Sequence, residues 1–323
     1  MKKVNIIGSG FSSLSAACHL AKRGFEVEVF EKNSTLGGRA RQFKQDGFTF
    51  DMGPSWYWMP DVFERFFEGF GKKVSDYYKL ERLDPGYQVV FGKDDVFPVY
   101  DSIEKIADRF EMEEKGSGRK LISFLNQAKR NYDVAIDDLV YKPGVSPLEL
   151  VTPVTVKNVG LFLTNVRKQV ERDFKSPKLR SLLQFPVLFL GAKPEQTPAF
   201  YNFMNYADFG LGTWHPKGGM IQIVNAMVSL AKELGVRFHT DAPVGEILTK
   251  NKTATGICVE GTFHESDIIV SGADYHHTER LLQASLRGYS ESYWKKKVFA
   301  PSSLLFYMGI DKKLKDLAHH NLF

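Results

Sequence analysis

Hydrophobic positions in the first 31 residues follow two alternating periods. Residues 4–7 are a continuous apolar run ending at Gly8, as in a strand buried on both faces. Leu14, Ala17, Cys18 and Leu20 then fall at helical spacing over residues 14–23, and Gly24 stands where a helix ends in a left-handed residue. Residues 27–31 alternate again as a strand. This strand, glycine turn, helix and second strand predict the opening of a doubly wound parallel sheet.

From about Asp61 to Gly210 the pattern changes. Residues 62–70, 102–110 and 120–135 read as amphipathic helices, and residues 87–91 and 96–99 as a hairpin around Gly92 and Asp94. This stretch is rich in Phe, Tyr and Leu, and it shows no catalytic signature. After Gly218–Gly219 the α/β pattern returns. Residues 220–234 form a periodic helix closed by Gly235. Strands follow over 236–239, 244–250, 254–259 (past a turn at Asn251–Lys252) and 266–270, expected to continue the sheet. Residues 302–310 read as a further strand, followed by a short basic helix. The expected organisation is a dinucleotide-binding domain over residues 1–85 and 216–285, interrupted over 86–215 by an inserted domain on the substrate side. Residues 286–323 begin a return to that insertion. Nothing before Phe323 resembles a finished domain edge, so the chain is expected to be the N-terminal part of a longer one.

Composition adds exclusions. The chain is 43% hydrophobic and 25% charged, ordinary for a folded protein. Lys plus Arg exceed Asp plus Glu by only 43 to 38, too little to point to nucleic acid. Cys18 and Cys258 are read as two reduced, buried thiols. No run reaches the ~18 apolar residues of a spanning helix. Lys2 and Lys3 precede an apolar stretch, but Gly8 and Gly10 interrupt it and no cleavage site follows, so a cytoplasmic protein is expected. His276–His277 and His319–His320 lack metal-ligand spacing and are read as surface or loop residues.

The chemistry is concentrated near the N-terminus. Gly8-Ser9-Gly10-Phe11-Ser12-Ser13 lies between the first strand and the helix. Gly8 permits the tight turn, Gly10 lets backbone approach a pyrophosphate, and the helix N-terminus offers free N–H groups and partial positive charge. Ser13 stands in the place of the usual third glycine. Glu31 follows Gly10 by 21 residues, where a carboxylate accepts hydrogen bonds from an adenosine ribose and repels a 2′-phosphate, against NADP. Leu36-Gly37-Gly38-Arg39-Ala40 comes next: the glycine pair brings N–H groups against a second phosphate face, and Arg39 pairs with it as a fork.

A plain NAD domain has no use for a second glycine pair. With Asp51-Met52-Gly53-Pro54-Ser55, the pattern resembles the flavoproteins of the monoamine oxidase and phytoene desaturase superfamily. The resemblance implies FAD, contacted by Gly8, Gly10, Ser12, Ser13, Glu31, Lys32, Gly37, Gly38, Arg39, Gly53, Pro54 and Ser55. It also carries over Val244 as a backbone holder of the adenine, although periodicity alone fits a core valine equally well. Residues 51–61 and 212–220, with 182–197 and 204–208, are similar to the bacterial carotenoid desaturases, phytoene desaturases in particular, and the similarity runs over essentially the whole chain.

What the resemblance implies is a Rossmann-like FAD-binding domain (α/β, a doubly wound parallel sheet) with an inserted α+β substrate- and membrane-facing domain. The activity it implies is dehydrogenation of a long apolar polyene, phytoene first, toward lycopene, with oxygen or a quinone as electron acceptor. It implies peripheral contact, around residues 139–190, with the inner face of the cell membrane. It also implies a second glycine-rich FAD segment, which does not occur before Phe323. The alternatives are another carotenoid or retinoid redox step (hydroxycarotenoid desaturation, isomerisation, retinol saturation) or a non-catalytic prenyl-lipid carrier like the GDP-dissociation inhibitors. The intact glycine, Glu31 and Arg39 set speaks against the carrier. No residue is assigned a catalytic role, and no metal is expected.

Overall fold

A computed structural model describes every residue of the chain except Phe299, Pro301 and Asp316. The chain divides into two compact units, one of residues 1–55, 75–79 and 216–299, the other of residues 56–74, 80–215 and 300–323.

In the first unit, β1 (Lys3–Ile7) and β2 (Glu26–Phe30) pair in parallel, Val4 opposite Val27, which requires the crossover that α1 (Phe11–Lys22) supplies. The sheet has four parallel strands in the order Ile268–Ser271, β1, β2, Arg237–His239. Val4, Ile6 and Val29 are fully buried, as the unbroken apolar pattern predicts. The helix Ile221–Glu233 buries Ile223, Val224, Met227 and Leu230, while α1 buries Leu14, Ala17 and Cys18. Cys18 Sγ donates to the Met227 carbonyl at 3.8 Å. Burial pushes its thiol up to about 12, so it stays protonated and inert. Cys258 is also free but only half-buried, less covered than expected.

One reading of this unit needs correction. The strands after residue 239 do not all continue the parallel sheet. Val244–Lys250, Thr253–Val259 and Thr262–Glu265 form a separate antiparallel sheet. Its two-residue turns explain why. Asn251–Lys252 (φ 52° and 62°) and Glu260–Gly261 (φ 47° and 83°) are left-handed pairs that reverse the chain at once, leaving no length for a crossover. An unpredicted hairpin, β3 (Gln42–Gln45) with β4 (Phe48–Asp51), turns the same way at Asp46–Gly47.

In the second unit the expected hairpin forms, Tyr87–Gly92 against Asp95–Val99. The expected helices are Pro60–Glu68, Ile103–Glu113 and Ser117–Asp137. The first opens on a proline whose missing N–H costs nothing there, and the second is capped by Ser102, whose Oγ accepts from the Lys105 amide at 3.2 Å. Tyr87, Phe97, Phe110, Leu121, Phe174 and Phe209 form its core. Residues 302–310 do not form the predicted strand, nor residues 311–315 the predicted helix. Leu304 and Phe306 are 80% and 75% exposed, and no described strand exchanges ladder bonds with this run.

Candidate cofactor site

All the residues expected to contact the cofactor lie in the first unit. Gly8 turns the chain at φ 88°, a conformation that costs any other residue, and its N–H donates to the Phe30 carbonyl at 2.8 Å, fixing the turn against β2. Helix α1 starts directly after Gly10, and no side chain caps it. The first turn of a helix carries amides that find no intrahelical partner, and those of Ser12 and Ser13 lie here. A Cβ added at Gly10 would meet no atom within 4 Å, so the space over this backbone is open. Ser12 is exposed beside that opening.

Ser13 is buried, and its Oγ has no hydrogen-bond partner. A Cβ on Gly272, just past the strand Ile268–Ser271, would lie 1.9 Å from that Oγ. The close helix–strand contact usually made by a third glycine is thus made here by Gly272.

Glu31 is 3% exposed and closes a network on the turn. Its Oε2 accepts from the Ser9 amide (3.0 Å) and Ser9 hydroxyl (2.6 Å), and its Oε1 from the Asn33 amide (3.0 Å) and Asn33 Nδ2 (2.5 Å). Burial pushes this carboxyl up, but the Ser9 and Asn33 donors outweigh it and hold it below the ordinary carboxylate range. Glu31 is therefore an ionised brace for the glycine turn. Lys32 beside it is exposed.

The second glycine pair folds back onto the first. The Gly37 N–H donates to Ser9 Oγ at 3.1 Å, and a Cβ on Gly38 would stand 3.0 Å from Gly10 Cα. Gly37 itself faces Val224, where a Cβ would come within 3.0 Å. Gly53 rests on the loop from the other side: at φ 86°, a Cβ there would be 2.2 Å from the Arg39 carbonyl oxygen. Asp51 secures this arrangement by accepting from the Met220 amide at 2.6 Å and Gln42 Nε2 at 3.0 Å. Arg39, Gly53, Pro54 and Ser55 are exposed, and Arg39 forms no ion pair among the described residues. The segment before Val244 is tied to the Glu31 turn by the Asp241 amide on the Asn33 carbonyl (3.1 Å) and the Ala242 amide on the Glu31 carbonyl (2.9 Å). Val244 is half-buried against the cluster of Ile7, Phe30 and Ile247.

An uncapped helix start, open space over Gly10, an unpaired arginine and three glycine segments packed backbone on backbone fit the pyrophosphate-bearing half of a dinucleotide. Ser9, Asn33 and Gly272 are not among the sequence candidates. Gly272 had a local signal, since it ends an apolar strand as Gly8 does, whereas the bonds of Ser9 and Asn33 to Glu31 arise only in three dimensions. The histidines lie elsewhere. His276 stacks on Trp294 at 5.0 Å, while His320 is 7% exposed against Trp56 rather than at the surface.

Comparison with known proteins decides which dinucleotide. Residues 11–295 match the family described as flavin containing amine oxidoreductase. The chain belongs to that family. FAD is accordingly its cofactor, on an α/β Rossmann-like fold. Similar proteins include a carotenoid 3,4-desaturase of Haloarcula japonica, 43% identical over 99% of this chain and 65% of its own length. A zeta-carotene-forming phytoene desaturase of Myxococcus xanthus is 33% identical (99% and 62%), and a 4,4'-diapophytoene desaturase of Staphylococcus haemolyticus is 32% identical (99% and 65%). The chain thus spans slightly less than two thirds of these relatives. An oxidoreductase from Methanosarcina mazei shares the fold at 21% identity and TM-score 0.58, covering 91% of this chain and 64% of that one. A RAB GDI from Plasmodium falciparum does so at 13% and 0.52, covering 84% and 65%. At such identities the likeness shows fold alone.

Proposed function

We propose that this chain is the flavin-gripping part of a carotenoid desaturase, an FAD-dependent oxidoreductase acting on CH–CH groups of a long polyene, with phytoene as substrate on the way to lycopene. The observation that carries this reading is the nested cradle of Gly8–Gly10, Gly37–Gly38 and Gly53 around the open face at Gly10, on a chain whose relatives are named carotenoid desaturases. A second reading, a 3,4-desaturation of a carotenoid, is favoured by the identity to the H. japonica protein. A RAB GDI shares the fold; against a non-catalytic prenyl-lipid carrier, the family match and the intact cradle favour the enzyme.

Bound FAD supplies the hydride acceptor, and oxygen or a quinone is the final electron acceptor. The chain's own part is positioning. Amides at the start of α1, those of Ser12 and Ser13 among them, would hold the pyrophosphate, with Glu31 bracing the turn that presents them and Lys32 exposed beside the ribose position. Arg39 with Gly37 and Gly38 would cover the second phosphate face, the 53–55 turn would lie beside it, and the Val244 backbone would meet the adenine. A polyene has no polar handle, so its binding rests on hydrocarbon burial, ~0.8 kcal/mol per CH₂.

The proposal places the protein in the cytoplasm, resting on the inner face of the cell membrane. No helix among the described residues is long and apolar enough to cross a membrane. In the second unit, however, Val145, Leu148, Val151, Val159 and Leu163 are all more than half exposed within one short run of the chain. Such a run favours insertion into a lipid interface over isolated surface hydrophobics.

Three measurements test the reading. Titration with FAD should develop protein-bound flavin absorbance near ~450 nm, and its absence overturns the cofactor role. Incubation with FAD and phytoene in lipid should give longer-wavelength products. A red shift only with an already conjugated carotenoid assigns the 3,4 step instead, and no change with either removes the desaturase. Protein that stays unbound when vesicles are floated removes the membrane contact.

A further inference from the structure

A cleft of about 310 Å³ lies in the second unit, lined along one helix by Lys120, Ser123, Phe124, Gln127 and Arg130, and across from it by Arg172 and Asp173. We propose that this cleft binds the phosphate group of a ligand. The inference is independent of the flavin reading.

The helix residues fall at i, i+3, i+4, i+7 and i+10 of Ser117–Asp137 and share one face. On the same two helices, Lys129 pairs with Asp133 at 2.8 Å and Arg167 with Glu171 at 2.9 Å, each one turn away. Arg130 has no such partner among the described residues, and Lys120 reaches Glu114 only at 3.5 Å. That contact is to Oε1 of Glu114, whose Oε2 accepts from the amides of Lys175 and Ser176, both at 2.7 Å. Asp173 is the one carboxylate in the lining. It accepts from Arg172 Nε and Nη2 at 2.9 Å each, which fixes the plane of that guanidinium and leaves its outer N–H groups available. Three cations and one carboxylate thus line the cleft, and of the three Arg130 forms no ion pair among the described residues.

The orientation of Gln127 is set from below. Its Oε1 accepts from Gln169 Nε2 (2.6 Å) and Asn202 Nδ2 (3.3 Å), and Asn202 Oδ1 accepts from Asn131 Nδ2 (2.8 Å). Gln169, Asn202 and Asn131 are 3% exposed or less, so this amide network is fixed within the core. With the oxygen of Gln127 committed to two donors, its Nε2 group is the end left for the cleft. A hydroxyl, an amide N–H₂, two guanidinium groups and an ammonium around an apolar floor at Phe124 suit a tetrahedral, multiply charged oxyanion. A single carboxylate would engage only one of the two guanidinium forks. The volume exceeds that of a bare ion and leaves room for the organic part of a phosphate ester.

The test is binding of inorganic phosphate and of phenyl phosphate to the whole chain, followed by calorimetry with chloride balancing ionic strength. Arg130→Gln is the informative variant, because this side chain is exposed and unpaired and its loss leaves folding intact. Arg167→Gln is the control for general charge. Saturable binding is expected, weakened about tenfold or more by Arg130→Gln and less than about twofold by Arg167→Gln. Ser123→Glu, which puts a carboxylate into the cleft, should abolish it. Phosphatidylcholine vesicles containing phosphatidic acid separate the two sources of phosphate. Competition between vesicles and phenyl phosphate that disappears in Arg130→Gln supports the site and names a lipid headgroup. Saturable phosphate binding without competition supports it and names a soluble ester. No saturable binding by the wild type, or equal weakening by both arginine variants, overturns the proposal.

Discussion

Replacing Gly10 by Ala separates the cofactor role of the glycine turn from its folding role. Gly10 has φ −68° and ψ 173°, which alanine adopts without strain, and its Cβ would meet nothing within 4 Å. Restricting the unfolded chain stabilises such sites by about 0.4–1 kcal/mol, so the melting temperature should hold or rise by about a degree or two. The new methyl group stands in the space the pyrophosphate needs. Moving a phosphate outward by about one C–C bond length breaks at least one charge-assisted bond to the α1 amides, worth about 1.5–3 kcal/mol, and FAD affinity should fall by roughly 10- to 150-fold. Gly53→Ala is the contrast. Its φ of 86° costs alanine about 1–2 kcal/mol, and its Cβ would overlap the Arg39 carbonyl at 2.2 Å, adding about 1–3 kcal/mol of overpacking, so this variant should melt several degrees lower. Thermal melts by circular dichroism and FAD titration by flavin fluorescence read the two effects. Gly10→Ala protein that binds FAD as tightly as wild type would refute the placement of the pyrophosphate over Gly10.

Three further outcomes are expected. Glu31→Gln turns an amide N–H₂ toward donors from Ser9 or Asn33, so urea denaturation should show a loss of about 2 kcal/mol. In the wild type the folded carboxyl titrates below its unfolded range. The stability it contributes is present above an unfolded pKa of about 4.3 and is lost as pH falls below it, a slope that Glu31→Gln should remove. Asp208 is the opposite case: burial raises its carboxyl well above the usual range, with the Tyr87 hydroxyl on Oδ2 at 2.7 Å offsetting this only in part. Its contribution is complete below an unfolded pKa of about 3.9 and lost as pH rises above it, so Asp208→Asn should gain on the wild type with rising pH, and parallel melting curves would contradict this. Val145→Asp with Leu148→Asp should reduce vesicle flotation without changing the melting temperature, since both side chains are more than three-quarters exposed.

The parts of the site that were legible in the sequence are those whose requirement is local. Gly8 and Gly53 occupy left-handed backbone that few other residues tolerate, and α1 and its closing Gly24 follow from periodicity and cap chemistry alone. What failed to show depended on partners. Residues 302–310 have the composition of a strand, but strand propensity describes fit to a neighbouring strand, and no described strand pairs with them. Periodicity over residues 244–265 shows strands but not their direction; the direction is set by the two-residue left-handed turn at Asn251–Lys252, which dictates antiparallel pairing. Asp46–Gly47 is an equally strong hairpin signal, hidden because its flanking residues Gln42–Gln45 are mostly polar and show no buried face.

The exchange between Ser13 and Gly272 bears on how such motifs should be read. The third glycine of the turn exists to let a helix approach a strand closely, and that requirement belongs to a contact between two residues. Here Ser13 carries a side chain and Gly272 carries none: a Cβ on Gly272 would lie 1.9 Å from Ser13 Oγ and 3.2 Å from Ser13 Cβ, so one partner must be glycine. Judged along the chain, Ser13 is a defect in the fingerprint. Judged across the contact, the close approach is preserved with its partners exchanged, and it leaves one buried hydroxyl without a partner. The Ser13 departure therefore does not weaken the cofactor assignment. The decisive positions are Gly10 and Gly38, where no exchange is available: a side chain at the first fills the space for the pyrophosphate, and one at the second strikes the first.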